Sequence, residues 1–202
     1  MTDLDQYWLA RLQALGRVQA RYLWILATTG LFYAALRSEF ASPRPDTPTL
    51  RLPIVELELG ADVVFAAGAT ILAFLVLVIM GALRAWGYAR SKLGLGAGAD
   101  WQTEAVDTYP NAIDLAFYTT PMSPKPFATL AYFAYPLFLS AALVEAAWLW
   151  LDLYRSGHGL LFSRRFFLVS GLILWVGAAC QVATMWFKRF SNLPRLWKTR
   201  DA

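Results

Sequence analysis

Glu145 interrupts an apolar stretch, AYFAYPLFLSAALVEAAWLWL over residues 131–151, that holds no other charge. An ionisable group in such surroundings usually faces a protein interior and marks function. Three readings of it stay open. One glutamate from each copy of a homo-oligomer would form a ring of carboxylates suited to a cation pore, or would carry protons. Alternatively, Glu145 pairs with an outer arginine such as Arg164 or Arg165, or it snorkels toward water. Two further intramembrane candidates accompany it. Pro136, in the same stretch, removes a backbone donor and leaves the carbonyl of Tyr132 without its helical partner, which makes either a gate or an ordinary tolerated kink. Gln181, beside Cys180, falls on a stripe with Gly171, Ala178 and Met185, the spacing of a helix-packing seam or a polar site.

A second group lies between apolar stretches. Asp100, Glu104 and Asp107 recur at i, i+4 and i+7, one face of a helix, with Trp101 beside them. That face is either solvated, a docking surface for a basic cytosolic partner, or a weak divalent-cation site, carboxylates alone being poor evidence for a metal.

Other chemistry is short of residues. One cysteine and one histidine in 202 residues cannot make an intrachain disulfide, a Cys₄ zinc site or a bis-histidine haem. Claudin-like tetraspans, connexins and the disulfide-forming membrane enzymes all need cysteines that Cys180 alone cannot supply, and no motif is specific enough to name a family. His158 sits in a glycine turn with no partner for hydrolytic chemistry, and is either a plain surface histidine or an acid sensor. The expectation is a chain with no cofactor, no metal and no enzymatic activity.

These residues need elements to hold them, and composition says which. The chain is 58% hydrophobic and 16% charged, with mean hydropathy +0.44. A soluble domain is about a quarter charged. The expected fold is therefore an all-α integral membrane protein with four transmembrane helices, over residues 22–36, 62–84, 127–151 and 166–187. The first of these is short, about 22 Å at 1.5 Å per residue, so its bounding Arg21 and Arg37 must snorkel or the bilayer must thin.

Lysine and arginine set the expected orientation. With both termini inside, twelve of the 18 basic residues are cytoplasmic and six lie in the outer loops, 37–61 and 152–165. Topology and anionic lipid account for the pI near 9.3, which argues against nucleic acid as a partner. A signal-peptide reading of the first stretch fails on its long leader with Asp3 and Asp5 and on the lack of a small-x-small cleavage site.

The connecting segments complete the reading. Leu4, Trp8, Leu12, Leu15 and Tyr22 give the N-terminus an amphipathic helical stripe, either packed on neighbouring helices or lying in the membrane plane. In TLRLPIVELELG (49–60), apolar and polar residues alternate on either side of Pro53, which predicts a short extended strand with a break near Pro53 in the first outer loop, lying on the helix ends or paired with another subunit. The inner loop, 85–126, is long enough to be functional or disordered, with glycines at 94, 96 and 98 as a hinge.

Function follows as an expectation. The chain reads as a homo-oligomeric channel, pore or signal-responsive sensor in a cell membrane, either plasma or bacterial inner membrane. Its partners are the lipid bilayer and copies of itself. The alternative is a membrane anchor or accessory subunit that recruits a cytosolic protein through the inner loop and the basic tail KRFSNLPRLWKTR.

Overall fold

The computed structural model describes residues 3–40, 49–51, 58–92, 125–155 and 162–198. Among these the fold is helical. Four helices, α1 (Asp3–Phe40), α2 (Ala61–Lys92), α3 (Lys125–Arg155) and α4 (Phe162–Lys198), are joined by one short ribbon of β1 (Thr49–Arg51) and β2 (Glu58–Gly60) between α1 and α2.

Three of the helices carry stretches long and apolar enough to cross a membrane, Val63–Ala89, Phe133–Leu153 and Val169–Ser191, as a membrane protein requires. The stretch expected to be the first span is not among them. Only fifteen residues separate Arg21 from Arg37, and any longer window takes in more charge. All four helices overrun their apolar runs, because backbone hydrogen bonding does not stop where hydropathy does. Two of these overruns matter below: α1 carries Arg37, and α3 carries Asp152, both of which the sequence had suggested were loop residues.

Close contacts divide the chain into two compact units, to each of which all four helices contribute. The first comprises Met1–Trp24, Val78–Phe138 and Val182–Ala202; the second comprises Ile25–Leu77 and Leu139–Gln181. In the first unit Leu12 is buried against Ala89, with Trp8, Leu9, Leu15 and Trp86 packed around them. The N-terminal stripe is therefore a packing face of one unbroken helix, which favours the packed reading over a separate in-plane anchor. Leu4, at the helix start, is exposed and takes no part.

In the second unit the helices approach through glycines. A Cβ on Gly68 would collide with the buried ring of Tyr33, and one on Gly171 would stand 2.6 Å from Thr70 Oγ1 and 2.9 Å from Trp150 Cζ2. The Trp175 indole nitrogen donates to the carbonyl of Leu143 at 2.9 Å, so this tryptophan packs inside the protein and does not anchor at the interface.

The extended segment expected to break near Pro53 carries a strand on either side of it. β1 and β2 pair antiparallel, Thr49 with Gly60, Leu50 with Leu59 and Arg51 with Glu58. The two described ends of the alternating segment are extended, and each gives the other the backbone partners that a lone strand would seek elsewhere.

Candidate functional site

Glu145, Trp148 and Asp152 stand at i, i+3 and i+7 on α3, so one helix face presents two carboxylates and an indole. Arg37, near the end of α1, closes onto that face. Its Nη1 donates to Glu145 Oε2 at 3.3 Å, its Nε is 3.7 Å from Asp152 Oδ2, and its guanidinium carbon stands 4.3 Å from the centroid of the Trp148 ring. The planar guanidinium suits this arrangement, since it can donate in two directions while stacking on an aromatic face.

The balance of charge is uneven. Among the described residues one cation serves two carboxylates, and Glu145 Oε1 is buried with no hydrogen-bond partner. Only 18% of the Glu145 side chain and 25% of the Arg37 side chain are exposed, so solvent screens the pair weakly. Chemically, the cluster is a partly dehydrated ion pair with a spare acceptor, able to hold a helix–helix contact or to take a proton or cation if Arg37 moves away. No group of three or more metal-ligating side chains occurs among the described residues.

Among the described residues the partner of Glu145 is Arg37, an outer arginine in the expected topology but not one of the two named as examples, Arg164 and Arg165, whose side chains lie outside the described residues. The signal for Arg37 was present. It ends the first apolar run, and the two acidic residues share one face of α3.

The other candidates are placed separately. Pro136 is buried in the first unit, and α3 continues through it from Lys125 to Arg155. Gln181 is half-buried in the second unit, on a stripe whose Gly171 and Ala178 are buried, which is the burial expected of a packing seam. Asp100, Trp101, Glu104 and Asp107 lie outside the described residues.

One polar residue escaped the sequence reading. Gln19 is fully buried in the first unit, where its Nε2 donates to the carbonyl of Ala82 at 3.2 Å and its Oε1 accepts from the Tyr135 hydroxyl at 3.3 Å. The amide joins three helices. Its spacing gave it away, because 12, 15, 19, 23 and 26 form one stripe on α1, of which Leu12, Leu23 and Leu26 are buried.

No family model, no curated protein and no solved structure matches the chain. The functional reading therefore stands on the residues and their geometry alone.

Proposed function

We propose that the chain is a multi-pass membrane protein with four crossings and both termini inside, which assembles with copies of itself in a plasma or bacterial inner membrane as a signal-responsive channel or sensor. The observation that carries this reading is the Arg37–Glu145 pair, a carboxylate within a stretch long and apolar enough to cross a membrane, held by a cation from a different helix. Buried ion pairs add little net stability compared with apolar packing, and their best-attested uses are in specifying registry and in switching.

The pair also refines the kind of channel. A carboxylate free to line a pore would support a constitutive path for cations, whereas Glu145 is engaged within its own protomer, which fits a resting state that a stimulus must open. Arg37 is the latch. Four crossings are compatible with the short apolar run of α1, because Arg37 is neutralised by carboxylates at its outer end and Arg21 is exposed at the other.

Ion flux into liposomes tests the reading. Wild-type protein is expected to conduct cations only under a stimulus such as membrane tension, voltage or pH, Arg37→Gln to conduct without one, and Glu145→Gln to conduct poorly. Absence of flux from both wild type and Arg37→Gln under all three stimuli, or a strictly monomeric protein in detergent, would overturn it. Recovery of that monomer with a soluble partner would support the anchor reading instead.

A further inference from the structure

Two exposed cations in the first unit are mounted on aromatic rings. Arg11 donates from Nη1 to the Tyr7 hydroxyl at 3.0 Å, and its guanidinium carbon is 6.0 Å from the centroid of the Trp8 ring. Lys92 Nζ is 5.3 Å from the centroid of the Tyr88 ring. Tyr7 meets Trp8 edge-on at 5.1 Å, and Trp8 meets Tyr88 edge-on at 6.0 Å. One row of three rings, drawn from the start of α1 and the end of α2, therefore carries both charges. Neither cation pairs with a carboxylate among the described residues.

The depth of this row is set by α2. Its stretch able to cross a membrane ends at Ala89, which puts Tyr88 and Lys92 at the end of that stretch, where a crossing helix meets the headgroups, and ring contact brings Trp8 to Tyr88. Tyrosine and tryptophan favour that edge because each has an apolar body and a polar tip. Tyr7 and Tyr88 are 52% and 57% exposed, which leaves their faces available to a ligand.

We propose that Tyr7, Trp8, Arg11, Tyr88 and Lys92 form a binding site for the headgroup of an anionic phospholipid. The rings lower the cost of partly dehydrating two cations. Arg11 uses one donor on Tyr7 and keeps others for phosphate oxygens, while Lys92 supplies a mobile point charge. A leaflet rich in anionic lipid attracts such a pair. Lipid suits the site better than an acidic protein segment because the row lies in the headgroup layer. Only the assignment to the inner leaflet rests on the orientation proposed above.

The test is electron paramagnetic resonance of the full chain in phosphatidylcholine nanodiscs doped with spin-labelled phosphatidylglycerol or spin-labelled phosphatidylcholine. Wild-type protein should immobilise the anionic label preferentially. Arg11→Gln and Lys92→Gln should each reduce that preference about fivefold, and the double substitution should remove it. Both side chains are exposed, so helix content by circular dichroism should be unchanged. Tyr88→Leu decides between a built site and general surface charge: it keeps every charge and should still weaken the preference. Equal immobilisation of the two lipids by wild type, or full preference in Tyr88→Leu, overturns the proposal. The flux experiment reads Arg37 and Glu145 in the other unit, so either reading can fail while the other holds.

Discussion

At the scale of single residues, the geometry makes the two ends of the ion pair unequal. Replacing Glu145 with Gln leaves Arg37 with Asp152 and with an amide oxygen still able to accept. Replacing Arg37 with Gln takes from Glu145, already with one oxygen unpartnered, and from Asp152 the cation they share. Arg37→Gln should therefore cost about 2 kcal/mol of stability, below the ~3–5 kcal/mol of a fully buried pair broken on one side. Glu145→Gln should cost about 1 kcal/mol. Thermal unfolding in detergent checks the order, and an equal or reversed cost would show that Asp152 is not a second partner. The buried amide invites a different cycle. Gln19→Leu takes from the Tyr135 hydroxyl its acceptor on Gln19, and Tyr135→Phe takes from Gln19 Oε1 that donor, each at about 1–3 kcal/mol, whereas the double substitution removes both ends of the bond and should cost less than their sum.

At the scale of elements, glycines separate real helix contacts from apparent ones. Gly68→Ala drives a methyl into Tyr33, whose ring is buried and has little room to turn, and Gly171→Ala drives one into Thr70 and Trp150. Each should destabilise by about 1–3 kcal/mol. Gly30 and Gly177 have nothing within 4 Å of where a Cβ would stand, so alanine there should be neutral or slightly stabilising within one protomer. Unfolding midpoints of the four variants measure this contrast. The same contrast shows how far pattern alone carried. Small residues four apart at Gly30/Ala34, Ala142/Ala146 and Ala179/Ala183 look alike in the sequence, yet Ala142 and Ala146 are buried whereas Ala183 is exposed and Gly30 meets no neighbour. Spacing shows which residues share a helix face. It does not say which face finds another helix.

At the scale of the whole molecule, the number of crossings is the property on which function turns. Among the described residues three helices carry stretches long and apolar enough to cross, and in the proposed four-crossing arrangement the carboxylates that neutralise Arg37 help α1 to be the fourth. Single cysteines introduced into a Cys180→Ser background report this directly. With four crossings, cysteines at positions 2, 100 and 202 should react with an impermeant maleimide only from the inside, and those at 45 and 158 only from the outside. A reagent that reaches position 2 and position 202 from opposite faces would mean that α1 does not cross, and the latch would then have no place within the bilayer.

Hydropathy and periodicity were enough, by themselves, to determine the helical class, the apolar stretches of α2, α3 and α4, the amphipathic stripe at the N-terminus and the isolation of Glu145 within one of those stretches. These properties are local, since a run of apolar residues or a carboxylate within one is visible wherever the chain later goes. The partner of Glu145, the burial of Gln19, the pairing of β1 with β2 and the seating of Arg11 and Lys92 on one row of rings were decided only in the tertiary structure. Each depends on which residues of distant segments arrive at the same place. Arg37 and Glu145 illustrate the difference: both are conspicuous in sequence, but their attraction counts only once α1 and α3 remove them together from water, where a separation of a few ångströms determines its strength.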